Sequence, residues 1–190
     1  MVETTTLSTK SIYKEFSKTY IEISDDLTFF GNNKGFIWKT EKNGYFHLYK
    51  YDLAGKNEVA LTKGNWEVRE FQGYDPNTER LYFTASKNRP MDTELYSVSI
   101  KGGETKLLSP TTGSSNVAFS KTFKYYILYH NDANSPNRVS LHSNDGKEIR
   151  VLEENDALKE KMASMSLSAV EFFDFKKNQE IKLSLGLQAF

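Results

Sequence analysis

The chain has 190 residues, and its 25 lysines and arginines balance its 25 aspartates and glutamates, so the formal net charge is zero. This balance gives no electrostatic reason to expect a nucleic acid or an anionic membrane surface as partner. The sequence has no cysteine, which excludes disulfides and thiolate metal sites. Aromatic residues make up 14% of the chain, and together with frequent threonine, valine and isoleucine they favour β-structure.

The first predicted elements are short strands. Residues 11–17, SIYKEFS, are typical of the last strand of a preceding unit, and residues 20–23 form a further apolar strand. Residues 35–62 then give a strand, a polar turn, a second strand, a glycine-containing hairpin turn and a third strand. With the strand before it, this stretch predicts a four-stranded unit.

The same order of elements returns twice. An apolar strand at residues 66–74 precedes a second unit at residues 80–109, and a strand at residues 116–120 precedes a third at residues 124–153. Four strands in about 45 residues is typical of one blade of a β-propeller. The sequence therefore predicts three consecutive blades.

The end of the chain contains the one predicted helix, at residues 155–164, with Asn155 or Asp156 near its N-cap. A strand follows at residues 169–175, and residues 168–187 resemble the opening of another blade. We therefore expect incomplete flanks on both sides of the three blades. Since propellers close with four to eight blades, this is an arc of a ring.

Three sets of landmarks keep one register along the repeat. Each set is spaced by 47 and then 44 residues, and the sets are Leu48, Leu95 and Val139, the hairpin glycines Gly55, Gly102 and Gly146, and the closing leucines Leu61, Leu108 and Leu152. The shared spacing supports a true repeat.

Two strand segments, residues 46–51 (FHLYKY) and 125–129 (YYILY), are bulky on both sides and do not alternate between apolar and polar. A blade packed between two neighbours buries both faces, whereas a strand of a sandwich buries one. A propeller is therefore preferred over a β-sandwich. The predicted fold is all-β, a partial β-propeller of about three four-stranded blades with flanking strands and one short helix.

The predicted division of the chain follows these elements. Its segments are the last strand of a preceding blade (1–18), three blades, the third with the short helix (19–65, 66–113 and 114–164), and the truncated start of a next blade (165–190).

Three strings carry a resemblance to a known family: FIWKTEKNGYFHLYKYD (36–52), LTKGNWEV (61–68) and RVLEENDAL (150–158). They resemble dipeptidyl peptidase IV enzymes, particularly bacterial ones, and the resemblance covers residues 11–183. It implies the last three blades of an eight-bladed propeller that covers an α/β-hydrolase domain. After Leu183 the family continues into an apolar strand and a proline-containing link, whereas residues 184–190 read SLGLQAF.

The resemblance implies a serine-type exopeptidase that removes N-terminal dipeptides, with proline or alanine favoured second. The expected partners are the α/β-hydrolase domain, the remaining blades and peptide substrates, and the expected location is the periplasm or the cell surface. We expect this chain alone to be inactive and to function as the part that gates substrate access. Because blade faces in an open arc lack neighbours, we also expect it to self-associate as a homo-oligomer.

Candidate catalytic residues are few. A hydrolase nucleophile needs a G-x-S-x-G turn between a strand and a helix. The nearest segment, residues 112–116 (TGSSN), lacks the second glycine, so Ser114 is interpreted as part of a loop. His47, His130 and His142 occupy non-equivalent places in predicted strands and are interpreted as hydrogen-bonded structural residues. No metal-ligand spacing or phosphate loop occurs, and we predict no catalytic, cofactor or metal site.

Three further features of the sequence are candidate binding sites. The resemblance places the family's amine-binding glutamate pair upstream of this chain, so Glu153 and Glu154 are assigned to the turn into the helix. Trp66 is assigned to the core between blades, with ligand stacking as the alternative. Residues 20–24 occupy a place that lies near the substrate pocket in the family, but they lack its charged residues, and no site is carried over to them.

A stand-alone propeller module that binds proteins or sugars is the alternative function. A G-x-S-x-G motif encoded after residue 190 in the same reading frame would favour the exopeptidase, and a stop codon there would favour the stand-alone module.

Overall fold

The computed structural model describes residues 2, 5–22, 24–165, 168–177 and 181–187, with side chains described as far as Phe173. This part of the chain is mostly β, as predicted. It contains three four-stranded antiparallel sheets, a two-stranded sheet and one short helix. Over the same residues, no helix is long and apolar enough to cross a bilayer.

Each four-stranded sheet is a meander of four consecutive strands in chain order. The first sheet contains β1 (Thr28–Phe30), β2 (Gly35–Thr40), β3 (His47–Asp52) and β4 (Val59–Ala60). The second contains β5 (Val68–Asp75), β6 (Arg80–Ala85), β7 (Glu94–Ser99) and β8 (Lys106–Leu107). The third contains β9 (Ser114–Phe119), β10 (Tyr125–Asp132), β11 (Ser135–Ser143) and β12 (Glu148–Glu153), and after it come α1 (Asp156–Ser164) and the paired strands β13 (Glu171–Lys177) and β14 (Ile181–Leu187).

The first two predicted strands are wrong. Residues 11–17 and 20–22 form no strand, Ile23 lies outside the described residues, and the first sheet begins at β1 instead. A strand needs a free edge whose N–H and C=O groups it can pair with. The place beside β2 predicted for residues 20–23 is taken by β1, and residues 11–17 pack on the first sheet through the Tyr13 ring. The other predicted strands, at residues 66–74, 116–120 and 169–175, are confirmed with small shifts at their ends, whereas the division of the chain into segments stays a prediction.

The repeat of the hairpin glycines is confirmed. Gly55, Gly102 and Gly146 follow β3, β7 and β11 and have φ angles of +72°, +81° and +94°, a region that glycine adopts without strain. At Gly55 there is also no room for a side chain. A Cβ atom there would lie 1.5 Å from the carbonyl oxygen of Ile12.

The repeat of the closing leucines holds in two units and fails in the third. Leu61 and Leu108 are buried, and each donates its N–H to the carbonyl of the matching residue on the preceding strand, Leu48 or Leu95. Leu152 is 41% exposed. Val139 pairs with Glu153 and Ser140 with Val151, so Leu152 is an extra bulged residue. A one-residue bulge turns its side chain to the other face.

The chain divides into two compact units, Met1–Lys87 with Tyr96–Leu107 and Asn88–Leu95 with Leu108–Phe190. The larger core cluster of the first unit is formed by apolar side chains from its two sheets. Its buried members are Ile37, Leu48, Leu61, Val68, Leu81, Phe83, Ala85, Tyr96, Val98 and Ile100. In β6 every residue from Leu81 to Ala85 is buried, so both faces of this strand are covered, as the two-sided pattern predicts.

A second cluster covers the opposite face of the first sheet. It contains Phe36, Tyr49 and Tyr51, and the rings of Phe36 and Tyr51 stack with centroids 5.2 Å apart. The segment before the sheet packs on this cluster through Tyr13, whose ring centroid lies 5.0 Å from that of Tyr51. Residues 11–17 therefore bind the sheet through side chains and add no strand to it.

The two-sided burial expected at residues 125–129 is wrong. Tyr126 and Leu128 are buried, but Tyr125 is 49% exposed and Tyr129 is 37% exposed. Side chains alternate across a strand, and a face is buried only where another layer packs on it. Within the described part of the second unit, this face of β10 has no such cover.

The short helix α1 is held by charged and polar contacts, because none of its residues is buried. Arg138 on β11 donates two hydrogen bonds to Glu148, of 2.7 and 3.1 Å, and one of 2.8 Å to Glu154. Lys159 on α1 also donates to Glu154, at 3.1 Å. Asn155 is the N-cap residue, as predicted, but its side chain makes no capping bond and donates to the carbonyl of Asn137 instead.

We predict that Tyr13→Ala lowers the free energy of unfolding by about 2 kcal/mol, because it removes aromatic contacts from a half-buried site. Urea denaturation followed by circular dichroism measures the change. Tyr20→Ala is the control, since Tyr20 is 75% exposed, and it should change stability by less than about 0.5 kcal/mol. Equal effects of the two substitutions would contradict the packing of residues 11–17 on the first sheet.

A second prediction concerns acid stability. Hydrogen bonds from Arg138 lower the pKa of Glu148 below its usual 4.5, and hydrogen bonds from Lys159 and Arg138 lower that of Glu154. The unfolded chain therefore binds more protons below about pH 4.5, and stability falls as the pH drops through that range. We expect Arg138→Met to reduce this fall, measured by urea denaturation at about pH 6 and about pH 3.5. Arg150→Met, at an exposed position of β12, should leave the fall unchanged.

Candidate functional site

Ser114, the residue nearest to a nucleophile motif, is the first residue of β9. Gly113 before it has a φ of +85° and donates its N–H to the Asp92 carboxylate at 2.9 Å. A strand follows Ser114 where a nucleophile elbow needs a helix, whose N-terminal N–H groups would stabilise an oxyanion. Ser114 therefore begins a strand, and the buried carboxylate of Asp92 fixes the backbone just before it.

His47 is a structural residue of the first sheet. Its Nδ1 lies 3.0 Å from Thr62 Oγ1 and its Nε2 lies 3.0 Å from the carbonyl oxygen of Gly64, so both nitrogens are engaged. Burial lowers the pKa of His47, because desolvation disfavours the imidazolium. The imidazole edge meets the ring of Trp66, with centroids 4.9 Å apart. Trp66 also stacks on Phe83 and is half-buried at the edge of the core, as predicted.

His130 and Ser115 form a pair that the sequence analysis missed. They are directly opposite each other on β10 and β9, and Ser115 Oγ lies 3.0 Å from His130 Nδ1. Burial lowers the pKa of His130 more than Asp132 raises it. A serine within reach of a histidine is a necessary part of a hydrolase site, but Ser115 is only 3% exposed. A substrate carbonyl cannot reach it, so the pair connects two strands. The antiparallel register of the predicted hairpin was the signal that could have revealed it.

His142 is also a structural residue, on β11 of the second unit. Its Nε2 lies 2.8 Å from Ser140 Oγ and its Nδ1 lies 3.3 Å from the carbonyl oxygen of Gly146, the hairpin glycine. Its ring stacks on Tyr126 with centroids 5.0 Å apart. The three histidines lie in separate surroundings, and each is bonded to a different strand or turn.

The adjacent carboxylates of Glu153 and Glu154 belong to the turn before α1, as predicted. Glu153 accepts a hydrogen bond of 2.7 Å from the N–H of Asn155. The Glu154 carboxylate is shared by Arg138 and Lys159. The two carboxylates bind different partners, and the charge of Glu154 is compensated by two cationic side chains, which disfavours a joint role in binding an amine.

Glu22 and residues 24–26 border an open groove of about 470 Å³ in the first unit. Asp26 accepts a hydrogen bond of 2.7 Å from Ser24 and forms an ion pair of 2.8 Å with Lys39. The Lys39 ammonium also donates to the carbonyl of Arg69 at 3.1 Å. These bonds fix the segment to the edge of the first and second sheets of this unit, and the exposed carboxylates of Glu22 and Asp25 lie beside it.

A search for metal sites found no group of three or more histidine, cysteine, aspartate or glutamate side chains that could hold an ion, within the part of the chain that the structure describes. The predictions of no metal, no cofactor and no catalytic residue stay predictions.

Comparisons with known proteins identify the family of these sheets. Residues 1–137 match the family model described as the dipeptidyl peptidase IV N-terminal region. Dipeptidyl peptidase 4 of Trichophyton rubrum is 32% identical over 159 residues, which are 79% of this chain and 20% of that protein. Dipeptidyl peptidase 4 of Arthroderma otae is 34% identical over 143 residues, 72% of this chain and 18% of that protein. The chain thus spans about a fifth of these relatives' length.

A solved structure gives the same result. The crystal structure of Porphyromonas gingivalis dipeptidyl peptidase 4 matches with a TM-score of 0.86 and 30% sequence identity, over 96% of this chain and 26% of that one. This match confirms the predicted fold class, with the three meander sheets as blades of a β-propeller. The chain belongs to the dipeptidyl peptidase IV family, and it corresponds to part of that family's N-terminal region.

Proposed function

We propose that this chain is the non-catalytic propeller part of a dipeptidyl peptidase IV-like serine exopeptidase, in which it gates the access of peptides. The observation that carries the proposal is the structural match to the Porphyromonas gingivalis enzyme, which covers 96% of this chain but only 26% of that enzyme. On this proposal the catalytic serine, histidine and aspartate belong to a partner α/β-hydrolase domain.

The described residues support the non-catalytic part of this proposal. His47 and His142 each have both ring nitrogens engaged by protein atoms. His130 contacts a serine that solvent does not reach. A general base must exchange protons with a bound substrate, and these histidines are committed to holding strands and turns together.

The gating part rests on the rigidity of stacked sheets. Strands buried on both faces, as in β6 and β7, open only at a cost close to that of global unfolding. A wall of such sheets around a catalytic domain admits an extended peptide end and excludes a folded protein by size. Specificity for N-terminal dipeptides then comes partly from exclusion and partly from the catalytic domain.

We expect the purified chain to release no nitroaniline from glycyl-prolyl-p-nitroanilide above the rate in buffer, because the serine that contacts His130 among the described residues is buried. A fluorophosphonate probe should leave it unlabelled, while the Porphyromonas gingivalis enzyme serves as the positive control. Turnover by the pure chain that this probe abolishes would overturn the non-catalytic assignment.

Gating is tested separately by a hybrid in which this chain replaces the matching segment of the Porphyromonas gingivalis enzyme. The folded hybrid should cleave the short chromogenic substrate at a rate within about tenfold of the parent, a difference of about 1.4 kcal/mol in barrier. It should leave a folded protein substrate uncut. A folded hybrid that cleaves the folded protein would contradict a gating role.

A further inference from the structure

A cleft in the first unit is not used by the proposed function. It lies beside the short outer strand β4 and the turn between β7 and β8, and we call it the lysine–tryptophan cleft. Its volume is about 750 Å³, within the range of small-molecule sites. The side chains that matter here are Lys63, Trp66, Lys87, Lys101, Glu104 and Thr105.

The apolar wall of the cleft is Trp66, whose orientation is fixed from two sides. Its indole stacks on Phe83, with centroids 6.3 Å apart and planes 9° from parallel, and it meets the imidazole of His47 at 89°. Because the ring is only half-buried, part of this fixed aromatic surface lines the cleft. A rigid ring loses little entropy on binding, which favours its use as a ligand contact.

The polar wall carries an excess of positive charge. Three lysines line the cleft beside one carboxylate, that of Glu104. The Lys87 ammonium lies 5.6 Å from the Trp66 ring centroid and donates to Thr105 Oγ1 at 2.8 Å, so its charge is held against the aromatic wall. Lys101 is 81% exposed, and its ion pair with Glu79 is long, at 4.0 Å, which leaves its charge largely uncompensated.

The turn between β7 and β8 keeps the cleft open. Gly102 and Gly103 both line it and both have positive φ angles, of +81° and +108°. A Cβ atom at Gly103 would meet no atom within 4 Å. The backbone here thus leaves empty space beside the lysines.

We propose that the lysine–tryptophan cleft binds an acidic saccharide, a sugar ring that carries a carboxylate. The lysines fit the carboxylate, and the flat C–H face of a sugar ring packs on indole as an apolar surface. The exposed carboxylate of Glu104 accepts hydrogen bonds from sugar hydroxyls. An anion without such donors would only repel it. This activity is independent of the proposed exopeptidase role, and either can fail without the other.

The test uses Trp66 as its own reporter. The chain has two tryptophans, and Trp38→Phe leaves Trp66 as the only one. The replacement also removes an indole N–H that is buried without a partner among the described residues, so we expect the protein to fold. A disaccharide of glucuronic acid and N-acetylglucosamine should change Trp66 emission with saturation. Cellobiose, a neutral disaccharide, and inorganic phosphate alone should not.

Charge variants in this background locate the site. Lys63→Met with Lys101→Met should raise the Kd for the acidic disaccharide about tenfold or more, since a charged hydrogen bond contributes about 1.5 kcal/mol. Lys121→Met, an exposed lysine of the second unit, should change the Kd less than about twofold. Circular dichroism melting checks that all variants fold.

Four results would overturn the proposal. They are an absence of saturable response to the acidic disaccharide, an equal response to cellobiose, an equal affinity for phosphate alone, and an equal loss of affinity in Lys121→Met. An equal affinity for phosphate would reduce the cleft to an adventitious anion site.

Discussion

Burial of both faces of the inner strands is the constraint on which the first unit depends. Every residue from Leu81 to Ala85 is buried, and β7 is buried almost throughout. A strand that is buried on both faces needs another layer on each side of its sheet. The first and second sheets therefore pack together and share one core. The aromatic content of the first unit follows from this requirement, because large rings fill both sides of its first sheet.

The polar residues also stabilise the sheets, in ways that depend on how deeply they are buried. Buried polar groups such as His47, Ser115 and Asp92 are bonded to neighbouring strands or turns, as burial requires. Partly buried charges lie at the edges, where Lys39 holds Asp26 and Arg138 holds the turn before α1. The residue types that usually indicate catalysis are therefore used for structure here. Accessible clefts with charged walls lie between these groups, and in the lysine–tryptophan cleft the charges lie beside an aromatic ring that stacks on the core.

Sequence patterns predicted the repeat well because it rests on local chemistry. The hairpin glycines need positive φ angles, and a strand begins two to four residues after each of them. The predictions failed where the structure of a segment depends on which distant segments pair with it or pack on it. Residues 11–17 have strand-like composition but pack on the face of the first sheet through Tyr13. Tyr125 and Tyr129 are large rings on a face that the described residues leave open. The bulge at Leu152 and the pairing of Ser115 with His130 depend on strand register, which composition does not encode.

Native-state hydrogen exchange, read by mass spectrometry, tests the shared core of the first unit most directly. If both faces of the inner strands are buried by mutual packing of the two sheets, the amides of β2, β3 and β6 open together, with one free energy and one dependence on denaturant. The account predicts this common opening, with faster exchange at the short outer strand β4. Opening of β2 and β3 at a free energy clearly different from that of β6 would show that the sheets are stable separately, and would contradict it.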